Sequence, residues 1–122
     1  MRQNDLLIRT FTFGVNCLKF LRTLPNDSES KLIRFQLGKS ATSIGANYEE
    51  SQAGSSKADF KNKVKIALRE ARESNFWLRV LEELDGYDSE EFKALLNESN
   101  ELKNILAAIV NNTKLFTFNL AL

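Results

Sequence analysis

The 122-residue sequence contains no histidine. That absence removes imidazole acid–base catalysis, Ser-His-Asp and Cys-His nucleophiles, and the Glu-x-x-His ligand sets of di-iron helical bundles. The single cysteine, Cys17, has no partner for an internal disulfide. It sits among apolar residues of a helical pattern, so it reads as a small core hydrophobe and suits a reducing, cytoplasmic compartment. Neither G-x-x-x-x-G-K-[ST] nor G-x-G-x-x-G occurs, which leaves no phosphate-cradling loop. Long apolar runs are missing too: "MRQNDLLIRTFTFGVNC" places polar residues on every turn, and neither a secretory signal nor a membrane span is expected. Glu70 and Glu73 form an E-x-x-E, but no matching ligand set accompanies them. Structural ion pairs are the expected role, with no metal and no cofactor.

What remains is an ordinary apolar and charged composition, 43% and 27%, in a chain long enough for one core and therefore one domain over residues 1–122. No stretch alternates with period two, and proline occurs once. The class is all-α. Helices are expected over about 5–24, 28–52, 56–84 and 89–116. Pro25 ends the first, with Asp27 or Ser28 capping the second; Gly54 closes the second. Ser56 and Asp59 form a variant capping box for the third. Gly86 stops that helix, and Asp88 or Ser89 caps the fourth, which leaves the short apolar tail "TFNLAL". Short loops between long helices favour an antiparallel up-down-up-down four-helix bundle.

Spacing residues at 100° gives the fourth helix one apolar face, with Phe92, Leu95, Leu102 and Leu106. The third has two: Phe60, Val64, Ala67, Ala71 and Leu78 form one stripe, and Ile66, Trp77, Val80 and Leu84 another. The first helix shows the same excess, with Leu7, Phe11, Gly14 and Leu18 on one side and Leu6, Phe13, Cys17, Phe20 and Leu24 on the other. Surplus apolar surface points to self-association. The expected interface is Ile66, Trp77 and Val80 with Phe13 and Phe20. A monomer whose loops and tail cover the second stripe is the alternative. In the second helix Ser40, Ser43, Asn47 and Glu50 form a polar stripe beside Ile33, Leu37, Ala41, Ile44 and Tyr48. Asn47 and Glu50 are expected to bond to a neighbouring helix or subunit, and Gly38 and Gly45 to mark close helix approach.

The net charge of +1 hides an uneven distribution. Residues 57–79 carry seven Lys/Arg against three Asp/Glu, whereas residues 80–122 carry three against eight. Lys61, Lys65, Arg69, Arg72 and Arg79 fall within about 80° of one another on the third helix, with Phe76 beside them. Such a row suits a phosphate backbone, RNA or DNA. A solvated face paired with Glu70, Glu73 or the acidic fourth helix is the alternative.

The segments "FQLGKSATSIGANYEE", "SSKADF" and "KIALREARESNFWLRVLEEL" resemble the four-helix-bundle proteins encoded by intervening sequences within bacterial 23S ribosomal RNA genes, a family that includes accessory proteins of diversity-generating retroelements. The resemblance covers the second and third helices distinctly and the others by pattern. It marks Ser40, Ser43, Asn47, Glu50, Asp59, Glu70 and Glu73 as the polar seam of the motif. It implies a ring-like homo-oligomer, a pentamer, and for the retroelement proteins binding of nucleic acid and of a reverse transcriptase. The expected function is thus that of a non-enzymatic accessory or scaffold protein associated with nucleic acid. A protein-interaction scaffold without nucleic-acid contact is the alternative.

Overall fold

Local capping chemistry sets the helix boundaries. The computed structural model describes residues 3–53 and 56–121, with side chains over 5–53 and 56–112. Its helices are α1 (Gln3–Leu21), α2 (Ser28–Gln52), α3 (Lys57–Asp85) and α4 (Glu90–Ala121), and no strand occurs among the described residues. Asp27 caps α2: its carboxylate accepts the Ser30 N–H at 2.8 Å, and those hydrogen bonds hold its pKa below the usual carboxylate value. Ser56 caps α3 by accepting the Asp59 N–H at 3.1 Å. Gly86, at φ +67°, ends α3 in the left-handed conformation, and Ser89 accepts the Phe92 N–H to open α4. The expected stop at Gly54 lies outside the described residues, as do the side chains of "TFNLAL".

Two boundaries differ from the sequence reading. α1 ends at Leu21 instead of Leu24, because the chain tightens there: the Thr23 and Leu24 N–H groups donate to the Phe20 and Leu21 carbonyls, three residues back instead of four. The Arg34 guanidinium of α2 donates to the carbonyls of Leu21, Leu24 and Pro25 at 3.0–3.3 Å. α4 continues past residue 116 to Ala121, since nothing in "KLFTFNLAL" breaks a helix.

The helix pairs in contact are α1–α2, α2–α3, α3–α4 and α1–α4, a closed four-sided arrangement. The core between them is formed by Phe13, Cys17, Phe20 and Leu21 of α1, Ile33, Leu37, Ile44 and Tyr48 of α2, Val64, Ala71 and Leu78 of α3, and Phe92, Leu102 and Leu106 of α4. Phe20, Tyr87 and Phe92 pack as three rings with centroids 5.3–5.5 Å apart and close one end. Phe13 and Phe20, expected at a subunit interface, are instead 2% and 4% exposed within this core. They belong to the face of α1 that turns inward, and a side chain already enclosed by its own helices offers nothing to a second subunit.

The α1–α4 side is the most open, with a groove of about 630 Å³ between the two helices. Arg9 bridges it, donating through Nε and Nη2 to both carboxylate oxygens of Glu98 and through Nη2 to Glu101 at 3.3 Å. The Glu98 hydrogen bonds raise the Arg9 pKa further above its already high value. Glu98→Gln is expected to lower stability by about 1–2 kcal/mol, read as a shifted urea midpoint at unchanged slope. An unmoved midpoint would mean that water replaces the pair at no cost.

Candidate nucleic-acid interface

α3 presents its cations because its buried stripe, Val64, Ala67, Leu68, Ala71, Ser74, Asn75, Leu78 and Leu81, turns the opposite side outward. On that outer side Lys65, Arg69, Arg72 and Arg79 are exposed and Lys61 is half-buried. Among the described residues Lys61, Lys65 and Arg72 form no ion pair, and Arg69 reaches Glu70 only at 3.4 Å with its side chain 72% exposed. Such a contact is worth little in water.

The acidic groups of α4 face elsewhere. Glu98 and Glu101 bond to Arg9, Glu91 lines the α1–α4 groove, and Glu90 lies 4.0 Å from Lys93 on its own helix. Toward α3 the fourth helix turns Asn97, Asn100 and Lys103, which with Asn75, Arg79 and Glu82 of α3 line an open groove of about 390 Å³. Segregation of acids to one flank of α4 therefore leaves the stripe positive.

Beneath the groove runs a chain of hydrogen bonds that the sequence reading missed. Arg79 Nε donates to Asn75 Oδ1 at 2.9 Å, Asn75 Nδ2 donates to Ser99 Oγ at 3.0 Å, and Ser99 Oγ donates to the Leu96 carbonyl at 2.8 Å. On the opposite flank of α3 the Ser74 hydroxyl donates to Ser40 Oγ at 2.9 Å, and Ser40 donates to the Leu37 carbonyl. Ser74 and Ser99 are fully buried and Asn75 nearly so; each is satisfied, so together they fix which helices pair at this level. The signal for them was present: all three interrupt apolar stripes at core positions.

The expected polar seam divides accordingly. Ser40 takes part in the α2–α3 contact. Asn47 donates to the Ser43 carbonyl of its own helix at 2.8 Å, and the Glu50 side chain is exposed, so neither reaches a neighbouring helix. Ser43, Asp59, Glu70 and Glu73 are half-buried. Ile66 is half-buried, and Trp77 and Val80 pack partly against the core. The Trp77 indole N–H is buried without a hydrogen-bond partner among the described residues.

Other chemistry is sparse. Burial pushes the Cys17 thiol up to about 12, which keeps it protonated and unreactive near neutral pH. Among the described residues no group of acidic or thiol side chains is arranged to hold a metal ion, and no helix is long and apolar enough to cross a membrane.

Comparison with known proteins places this geometry in a family. The model of the 23S rRNA-intervening sequence proteins matches residues 2–108. A crystal structure of a protein of unknown function from the S23 ribosomal protein family of Bacteroides thetaiotaomicron VPI-5482 superposes with a TM-score of 0.80 at 32% identity, covering 91% of this chain and 99% of its own. No curated protein matches.

Proposed function

The chain belongs to the 23S rRNA-intervening sequence protein family, and we propose on that footing that it is a non-enzymatic, ring-forming accessory or scaffold protein that associates with RNA or DNA through the outer side of α3. The observation that carries the nucleic-acid reading is the stripe Lys61, Lys65, Arg69, Arg72 and Arg79, whose ion pairing among the described residues is confined to the weak Arg69–Glu70 contact, while Glu98 and Glu101 of α4 are held by Arg9. A non-enzymatic role is supported by the sequence, which offers no histidine and one enclosed thiol. That same reduced thiol agrees with a cytoplasmic setting.

An antiparallel bundle is supported by the glycine contacts. Gly38 lies against Leu18 and Leu21, Gly14 against Ala41 and Thr42, and Gly45 against Thr10 and Phe11, so numbers rise along one helix as they fall along the other. Self-association is supported by two separate apolar patches flanking α2. One, toward α1, has exposed Phe11 and Leu18 on α1 and Phe35 on α2, with Phe11 and Phe35 at 62% and 65% exposure; the other, toward α3, has exposed Leu32 and Leu84 with half-buried Ile66, Trp77 and Val80 along α3. A ring needs two unlike faces that meet head to tail, whereas a two-fold dimer needs one. Five subunits, and a reverse transcriptase as protein partner, rest on the family resemblance.

Fluorescence anisotropy of labelled RNA and DNA across a salt series tests the reading. Lys65→Glu/Arg69→Glu/Arg72→Glu is expected to abolish binding near physiological salt and to lower the log–log salt slope by about 2–3. Absence of binding by the unaltered protein even at low salt would leave a scaffold that contacts proteins alone.

A further inference from the structure

Phe76 is the one aromatic residue on the cationic side of α3, and it is 47% exposed. Helical spacing puts it about midway between Lys65 and Arg69, roughly 20° from each, within the angular span of the charges. A half-exposed aromatic ring among cations sets a flat stacking surface beside phosphate-binding charges, the combination on which single-stranded nucleic acid is held.

The ring is also held in place. Trp77 packs edge-on beside it, with centroids 5.1 Å apart and planes at 80°. The Arg79 guanidinium carbon lies 5.9 Å from its centroid. Arg79 in turn is fixed through Nε to buried Asn75, and Asn75 to buried Ser99, while its Nη groups have no partner among the described residues. Next to them the α3–α4 groove offers the amides of Asn97 and Asn100, the Lys103 ammonium and the Glu82 carboxylate. Amides donate and accept together, which is what the edge of a nucleobase requires.

We propose that Phe76 and the α3–α4 groove form a nucleobase subsite, so that the α3 stripe binds single-stranded in preference to duplex nucleic acid. The inference rests on the nucleic-acid reading above and adds to it a stacking platform and a base-edge reader. Phosphates lie along Lys61, Lys65, Arg69 and Arg72; one unpaired base stacks on Phe76 and turns its edge toward Arg79, Asn97 and Asn100. A duplex keeps its bases stacked on each other and reaches only the cations.

The test compares a labelled 12-nucleotide single strand with the matching duplex, using unaltered protein, Phe76→Ala and Phe76→Tyr. Phe76→Ala is expected to weaken single-strand binding about tenfold or more, to leave duplex binding and the salt slope unchanged, and to melt at the same temperature; Phe76→Tyr retains the binding. Equal affinities of Phe76→Ala and unaltered protein for the single strand would overturn the subsite while leaving the phosphate stripe intact. So would a loss of equal size for strand and duplex. If the unaltered protein binds neither, the nucleic-acid reading falls and the subsite with it.

Discussion

Phe13→Ala is expected to destabilise the protein by about 3–5 kcal/mol, whereas Phe11→Ala, two residues away, is expected to leave stability within about 0.5 kcal/mol. Phe13 is 2% exposed and lies in the core shared by all four helices; Phe11 is 62% exposed on the α1–α2 flank. Truncating the first removes a buried ring and leaves a cavity that neighbours such as Leu95 fill only in part. Against a total stability of about 5–15 kcal/mol such a loss is large. Truncating the second removes apolar surface that the isolated chain leaves in water. Its effect should appear in assembly, as a smaller mass by light scattering behind a sizing column. Urea unfolding measures the first quantity. A Phe13→Ala protein that unfolds at the original midpoint but loses mass would return Phe13 to the subunit interface and contradict the core packing.

Gly45→Val is expected to cost about 1–3 kcal/mol or more, and Gly38→Ala to gain up to about 1 kcal/mol. The two glycines sit on the same side of α2 but meet different things. A Cβ at Gly45 would stand 3.2 Å from the Thr10 carbonyl carbon and oxygen and 3.3 Å from the Phe11 nitrogen, all of them backbone. Backbone cannot rotate aside, so α1 must move away from α2. A Cβ at Gly38 would meet the ends of Leu18 and Leu21 at 3.4 and 3.5 Å, ordinary contact with side chains that can adjust. There the helical propensity of alanine dominates. Paired urea titrations should show opposite shifts; equal losses would mean that Gly38 also stands at a point of backbone approach.

That contrast shows what kind of information the sequence carries. Helices and caps were legible because a cap is a local event, decided by Asp27, Ser56, Gly86 or Ser89 within four residues of its partner. The basic stripe was legible for the same reason. Whether it stays positive was not, since that depends on which flank of α4 carries Glu98 and Glu101, and only the pairing with Arg9 decides it. α1 shows the same limit. Two apolar stripes on one helix do not say which faces inward; the approach of Gly14 and Thr10 to α2 and of Arg9 to α4 does. Ser74, Asn75 and Ser99 lie between these cases. Each was visible as a polar residue in an apolar stripe, but its partner lay 24 or 34 residues away.

The chain's single tryptophan makes it its own optical reporter. An indole whose N–H is enclosed and unbonded emits toward the blue end of its range, and the ring packed against it is Phe76. Trp77 thus sits between two surfaces, the cationic side of α3 and the apolar flank shared with Val80 and Leu84. A base stacking on Phe76 should quench its emission, and a subunit covering the flank should narrow and shift it. Both events are visible to an unlabelled sample in a fluorimeter, and their spectral signatures differ.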